Sequence, residues 1–406
     1  MILYNDIRME LLAPAGDREK FIMAIEYGAD AVYLASTRFG LRTFAGNFDL
    51  ESLKWAVEYA HVRNVKVYVT VNIIPHESDL DDLPEYIRYL DQIRVDAVIV
   101  ADLGVISMVR RIAPTLPIHV STQANVTNSE SALVYADLGV RRLILAREMT
   151  LDEIRELREK IPSSIELEAF VHGAMCISYS GRCLLSNFFN GRDANRGACV
   201  QACRWEYAIR EINKEQEYPI EEDSHGTYIL NSKDLCMIEY LDKLRDAGVD
   251  SIKIEGRMKT EYYVANIVNA YRHALDYMYT HKDYHLPDDI LGEVYKSSHR
   301  DYSTGFYFGE PKQTLETSLP TSEYDFVAIV LEDSHDGRAK VEMRNRFSTD
   351  STLELLSKTK NNAKIKINKI EDLEGNILDE CKIPKQQVYL YTDEDLKKYE
   401  ILRRKK

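Results

Sequence analysis

Five of the chain's six cysteines fall in one stretch, Cys176-x6-Cys183-x15-Cys199-x3-Cys203-x32-Cys236, while Cys381 stands alone near the end. Thiolates are soft metal ligands, and a four-iron cluster needs four of them, so one of the five is spare or has another role. Zinc is the competing ion. Its sites usually show two close cysteine pairs, whereas only Cys199 and Cys203 are spaced that way. The remaining reading, cysteine as a small buried apolar side chain, fits poorly with the surrounding composition. The segment reads Cys-Ile-Ser-Tyr-Ser-Gly-Arg-Cys and then Asn-Arg-Gly-Ala-Cys-Val-Gln-Ala-Cys-Arg-Trp. Arg182, Arg192, Arg196 and Arg204 are interleaved with the thiols. They are suited to offsetting the charge of a thiolate-bound cluster or to gripping a carboxylate or phosphate through paired hydrogen bonds. Structural disulfides are not expected, because the sequence opens without a secretory signal and the cytosol keeps thiols reduced.

A second group of candidates consists of polar residues at or near the ends of apolar runs: Asn72, Gln123, Arg147, Glu168, His172, Lys253, Glu255 and Arg257. Each taken singly is equally consistent with a loop cap or a rim ion pair. Together they form a candidate substrate-binding set. Protease chemistry finds little to work with: His76-Glu77 continues Ser78-Asp79-Leu80 rather than completing a zinc motif, and no Gly-x-Ser-x-Gly occurs. A Cys176/His172 dyad is conceivable, but the neighbouring thiols make metal ligation the better account. Phosphate-loop and dinucleotide glycine motifs are absent.

The elements that must position these residues recur as amphipathic helix, Gly or turn, Asp, apolar run, clearest at Gly28–Leu34, Val95–Val100, Gly139–Leu145 and Gly248–Ile254. Glycine ends the helix and the apolar run reads as a buried parallel strand. Eight such runs are predicted: Leu11–Ala13, Ala31–Ala35, Lys66–Asn72, Ala97–Ala101, Ile118–Thr122, Leu143–Arg147, Ile165–Val171 and Ser251–Glu255. Strands alternating with helices imply an α/β chain folded as a (β/α)8 TIM-type barrel over residues 1–282, with an open doubly wound sheet as the structural alternative. Asp17 and capping boxes at Thr127-x-x-Glu130 and Thr150-x-x-Glu153 are the expected helix starts. The stretch between strands seven and eight, 174–250, is too long for a simple crossover and holds the cysteines. It is predicted to sit over the barrel's active-site mouth. Residues 283–322 read as a connecting segment, and 323–406, with alternation at Lys364–Ile367 and turns at Asp336-Gly337 and Glu374-Gly375-Asn376, as a small C-terminal β-barrel.

The 406 residues are 45% apolar with a formal charge of −14, which excludes disorder and indiscriminate nucleic-acid binding. Residues 323–406 carry 17 acidic and 17 basic side chains, so the deficit lies in the first 322. Phosphate contacts are therefore expected on the tail, which ends Arg-Arg-Lys-Lys, or on local patches. No apolar run reaches membrane-span length, so no membrane partner and a cytoplasmic location are expected.

Several motifs resemble one family. They are Glu10-Leu-Leu-Ala-Pro-Ala-Gly-Asp17, Glu168-Ala-Phe-Val-His-Gly-Ala-Met-Cys176, Gly181-Arg-Cys183-Leu-Leu-Ser186, Asn231-Ser-Lys-Asp-Leu-Cys236 and Lys253-Ile-Glu-Gly-Arg-Met-Lys259, with His299-Arg300 and Thr304-Gly305-Phe306. They look like peptidase family U32, and the resemblance spans nearly the whole chain. The family was named for collagenase-like activity. Its better-understood members are iron–sulfur proteins of oxygen-independent hydroxylation. The chain is most similar to the branch that makes 5-hydroxyuridine at the tRNA wobble position, linked to prephenate. The resemblance implies a 4Fe-4S cluster on Cys176, Cys183, Cys199 and Cys236, with Cys203 the alternative to Cys199. It also implies a tRNA anticodon loop and a small dicarboxylate, prephenate, as partners. Chemically compatible candidates are Arg147, Arg257 and the loop arginines for the carboxylates and Tyr33, Phe44 or Tyr179 for stacking on the base. A collagenase-like peptidase, and a non-catalytic subunit working with a homologous partner, are the alternatives it leaves.

Overall fold

A computed structural model describes residues 8–41, 46–176, 178–205, 233–309, 320–359 and 362–406, together with the backbone of four two-residue strands between 209 and 227. Phe44, Asn231 and Ser232 lie outside the described residues.

Eight parallel strands close on themselves: β1 Glu10–Ala15, β2 Ala31–Ala35, β3 Lys66–Val71, β4 Ala97–Val100, β5 Ile118–Val120, β6 Arg142–Ile144, β7 Glu166–Ala174 and β8 Ser251–Ile254. Closure comes from β8, which pairs with β1 on one side and β7 on the other. Each strand is followed by a helix: α1 Arg18–Glu26, α2 Leu50–His61, α3 Leu83–Gln92, α4 Leu103–Ile112, α5 Ser129–Asp137, α6 Leu151–Lys160, α7 Leu241–Asp246 and α8 Glu261–Thr280. Among the described residues no helix is long and apolar enough to cross a membrane.

The repeated aspartate has a definite task. Asp30, Asp96 and Asp250 each stand just before a strand and accept the backbone N–H of a residue on the neighbouring one, Leu11 at 2.8 Å, Val67 at 2.7 Å and Leu167 at 2.8 Å. Each satisfies a donor near the start of the ladder, which explains why the repeat was readable. Asp17 caps α1 through the Lys20 amide, and Thr150 with Glu153 forms the expected capping box. At α5 the expectation shifts by one residue: Asn128, not Thr127, caps the helix by accepting the Ser131 amide at 2.9 Å. Asn is as good a cap as Thr, so sequence alone did not separate them.

β7 runs three residues beyond its predicted end. The reason lies in the insertion, whose strand Asp234–Cys236 pairs antiparallel with His172–Ala174 and extends the sheet outward. The connecting segment holds a two-turn helix, Asp288–Val294, too short to leave a periodic signature. Beyond it, eight antiparallel strands from Tyr324 to Lys405 form a half-barrel with its own apolar core around Val341, Ile365 and Leu390. Asp336 and Gly337 both take positive φ at its first predicted turn.

This second unit is fastened to the barrel. Arg403, fully buried in the last strand, reaches Asn266 on α8 and Glu293, and also meets Glu354. That takes Arg403 out of the expected basic tail. Arg403 is interior, and Arg404, Lys405 and Lys406 stand near Asp325 and Glu323.

Candidate active site

At the carboxyl end of the strands lies a cavity of about 200 Å³. Its floor and walls come from Tyr33 on β2, Thr70 and Asn72 at the end of β3, Ser121, Thr122 and Gln123 after β5, Arg147 after β6, Phe170 on β7, and Lys253, Glu255 and Arg257 at the end of β8. The insertion supplies the roof with Cys176, Cys183, Cys199 and Cys203. Of the eight predicted substrate residues, six (Asn72, Gln123, Arg147, Lys253, Glu255 and Arg257) are brought together here.

Two glycines permit this assembly. A methyl group on Gly16 would lie 2.1 Å from the carbonyl oxygen of Arg257, and one on Gly173, whose φ is +108°, would lie 2.5 Å from that of Glu255. The ends of β1 and β7 can therefore approach the β8 loop only as bare backbone. The roof is tied down at three places. Asn125, in the left-handed conformation, donates to the Ser180 carbonyl and accepts from Arg182 Nε, both at 2.9 Å. Arg147 donates to the Ala174 carbonyl at 3.2 Å and the Ser180 hydroxyl at 3.1 Å. Arg196 grips Asp79 with both ends of its guanidinium, at 2.8 and 3.1 Å, and holds Asp79 at about 2, well below the usual carboxylate range. Arg196 is thus a fastening rather than a substrate contact.

Two predicted residues stand elsewhere. Glu168 is fully buried below the cavity floor, accepting from Lys253 Nζ at 2.8 Å and from Arg142 at 3.0 Å. His172 is turned away from the cavity by the irregular register between β7 and β8. Its Nδ1 lies 3.3 Å from the Tyr271 hydroxyl and its Nε2 lies 3.4 Å from that of Tyr302. Burial, reinforced by the Lys259 and His299 charges, lowers it to about 3, so it is a neutral imidazole in an aromatic shell. With both ring nitrogens facing tyrosines it is not placed as a base for Cys176. Cys236 lies on the same side, 3.9 Å from the Tyr271 hydroxyl, where burial pushes its thiol up to about 12.

Sequence reading missed the charged interior beneath the site. Arg142 meets Glu10 at 2.6 Å, Glu166 at 2.7 Å and Glu168 at 3.0 Å. Glu10 also accepts from Tyr68 at 2.7 Å, Ser251 at 3.2 Å and Lys66 at 3.0 Å. Burial alone would raise the Glu10 carboxyl, but Arg142, Lys66 and Tyr68 outweigh it and hold it at about 2. The resulting ladder, Lys66–Glu10–Arg142–Glu168–Lys253, sets an ammonium at the cavity floor, 4.3 Å from the centre of the Tyr33 ring. Its one sequence signal was a charged side chain opening each of three apolar strands, at Glu10, Lys66 and Arg142.

Chemically the cavity has a neutral side and a charged side, where the Glu255 carboxylate stands with Arg147, Lys253 and Arg257. On the neutral side Asn72 Nδ2 and the Gln123 backbone amide both donate to the Ser121 hydroxyl at 3.3 Å. Among the described residues the buried atoms Thr70 Oγ1, Asn72 Oδ1 and Gln123 Oε1 have no hydrogen-bond partner, and neither has Arg147 Nε on the charged side. Buried polar atoms facing a cavity in this way call for a polar ligand or ordered water. For a metal group, four thiols line one cavity, and the Gln201 amide donates to Cys199 Sγ at 3.4 Å. That donor set fits a sulfur-ligated cluster. Among the described residues no three His, Cys, Asp or Glu side chains converge on one point as a single-ion site requires.

Comparison with known proteins agrees with this architecture. A family model described as Peptidase family U32 matches residues 16–317, and one described as Peptidase family U32 C-terminal domain matches 322–403. The chain is 38% identical to tRNA hydroxylation protein P1 of Bacillus subtilis (strain 168), over 98% of this chain and 95% of that protein. It is 36% identical to tRNA hydroxylation protein P of Escherichia coli (strain K12), over 86% of each. A 23S rRNA 5-hydroxycytidine synthase of the same strain is 40% identical over 66% of this chain and 39% of its own length. Barrel, cysteine-bearing roof and half-barrel all fall within these matches, and the chain belongs to peptidase family U32.

Proposed function

We propose that the chain is an iron–sulfur enzyme that hydroxylates carbon 5 of a wobble uridine in tRNA without molecular oxygen, with prephenate as co-substrate. The observation that carries the reading is the cavity itself, in which unpaired amide and hydroxyl oxygens share a roof of thiols with three cations and the Glu255 carboxylate. Amide and hydroxyl groups suit the hydrogen-bonding edge of a pyrimidine, and Arg147, Lys253 and Arg257 suit a dicarboxylate. The names borne by the relatives, tRNA hydroxylation protein and 5-hydroxycytidine synthase, support a pyrimidine in RNA. A base must leave its stack to be modified, and anticodon-loop bases do so at low cost.

A 4Fe-4S cluster, when bound, supplies one-electron transfer. The residues that would hold it are Cys176, Cys183 and Cys199 with Cys236, Cys203 being the alternative to Cys199. The four thiols on the cavity wall form a competing set in which Cys203 replaces Cys236. Around them the chain's own groups do the rest. Glu168, itself held by Arg142, fixes the Lys253 ammonium, and Phe170 and Tyr33 flank it.

The test is mass spectrometry of tRNA nucleosides from a deletion strain, complemented by the wild type or by single Cys→Ser variants. Loss of the wobble 5-hydroxyuridine and its recovery only with the wild-type gene is the expected result. An unchanged nucleoside profile, with no second homologue in the strain, overturns it. Iron content of the anaerobically purified variants separates the ligand sets: loss at Cys236 with retention at Cys203 marks the first, and the converse marks the second.

A further inference from the structure

The outer face of the cysteine-bearing roof carries a feature that neither the cavity nor the cluster requires. Among the described residues six large aromatic side chains are exposed, and four of them, Tyr179, Phe188, Phe189 and Trp205, lie in the short stretch 179–205. Phe188 is 83% exposed and packs edge-to-face on Phe189, their centroids 5.2 Å apart. Both rings belong to the helix Leu185–Asn190, whose Leu185 and Ser186 line the cavity, and Tyr179 directly precedes the lining residues Ser180 and Gly181. The rings therefore lie on the same short segment that roofs the cavity. Folding alone does not explain them, since large apolar side chains left in water together mark a binding surface.

Charge indicates what binds. From Ala174 to Trp205 the sequence holds four arginines, of which Arg196 is already paired with Asp79, and one acidic residue, Asp193, within a chain of net charge −14. The Asp193 side chain is engaged locally, accepting the Asn195 amide at 2.8 Å. In the C-terminal tail, by comparison, Arg403 is buried, and Arg404 and Lys405 stand near Asp325 and Glu323. Arginine interleaved with exposed aromatic rings is the composition that binds single-stranded nucleic acid, in which bases stack on the rings and phosphates meet the guanidinium groups. A protein partner gains nothing from a local positive charge unless it is acidic, whereas RNA always carries the complementary charge.

Resting on the function proposed above, we infer that this roof face docks the single-stranded loop of an RNA hairpin. Phe188 and Phe189 stack on the nucleotides beside the target base, and Arg182 and Arg192 take the flanking phosphates. The surface holds the loop while one base enters the cavity below. Selection of a looped over a paired RNA then follows from the rings, because bases in a duplex present no open faces to them.

The experiment measures binding of the full-length protein to a synthetic anticodon stem-loop RNA with uridine at the wobble position, by fluorescence anisotropy across a salt series. The double variant Phe188→Ala/Phe189→Ala is expected to weaken binding roughly tenfold or more. Arg182→Gln and Arg192→Gln are each expected to lower the slope of log affinity against log salt by about 0.7. Melting temperature and iron content equal to wild type show that the fold is kept. Wild-type affinity and slope in every variant overturn the docking surface while leaving the proposed function standing. Variants that bind RNA normally but lose association with a second copy or a homologue also overturn it, by making the patch a protein interface. If the wild type binds no RNA hairpin at all, both readings fall together.

Discussion

Arg142 and Arg403 are both buried arginines held by carboxylates, one in the barrel interior and one in the last strand of the half-barrel. Arg142 joins three carboxylates from β1 and β7 beneath the cavity, so what it arranges is the cavity floor. Arg403 joins Glu354 of its own sheet to Glu293 and Asn266 of the barrel side, so what it arranges is the seam between two units. The chemistry is the same and the consequence differs, because a guanidinium fixes whichever elements its partners belong to. Buried ion pairs are poor sources of net stability but costly to break from one side.

The largest effect is therefore expected from removing each arginine while leaving its carboxylates in place. Arg142→Met strands Glu10 and Glu168 and is expected to cost about 3–5 kcal/mol in urea unfolding, with Lys253 displaced and hydroxylation lost. Arg403→Met is expected to cost a similar amount but to act elsewhere. Amide exchange should accelerate across 323–406 while the barrel strands keep their protection and activity per folded molecule survives. Equal acceleration in both units after Arg403→Met would dissolve the distinction.

A smaller effect tests whether backbone approach, as well as charge, holds the cavity together. Gly173→Ala places a methyl group 2.5 Å from the Glu255 carbonyl at a φ of +108°, a strain of roughly 1–3 kcal/mol. Because the strain falls at the cavity rim, activity is expected to fall further than stability. A variant that loses stability but keeps full turnover would show that β7 and the β8 loop can separate without harm.

Both ladders also respond to acid, and the sign is fixed by the carboxylates. Glu10 is held at about 2, and Glu293, which burial alone would raise, is lowered by Arg403 and Lys296. A carboxyl lowered by folding contributes stability above its unfolded value near 4.5, and that contribution disappears as pH falls through the folded value. The wild type should accordingly lose stability progressively from about pH 4.5 toward pH 2. Glu10→Gln, less stable at neutral pH, should show a shallower decline, and an equally steep one would remove Glu10 from the account.

Legibility in the sequence followed the same division. The barrel was readable because glycine stops, strand-edge aspartates and apolar runs are local signals repeated along the chain, and all eight strands stand where those signals put them. Six cavity residues were readable because the end of a barrel strand is a place that sequence can mark. His172 was misplaced because the register irregularity between β7 and β8, which sequence does not encode locally, turns its ring outward. The ladder was unreadable for a different reason: Glu10, Lys66 and Arg142 are far apart in the chain, and a charge at the start of a strand looks the same whether it meets water or another charge.

The smallest effect isolates that ambiguity in two adjacent residues. Arg141 and Arg142 both meet Glu166, at 2.7 Å in each case, yet Arg141 is 55% exposed at its side chain and Arg142 only 4%. One lies outside the barrel and the other inside, since successive strand residues point to opposite faces. Arg141→Ala removes an exposed pair whose Coulomb energy water already screens, and the expected cost is about 1 kcal/mol or less, shrinking further in salt. Arg142→Met should be several-fold worse and nearly indifferent to salt, since its partners are shielded from ions. If the two neighbours proved equally costly, burial would not be what separates them, and Glu166 rather than the interior ladder would be the group that matters.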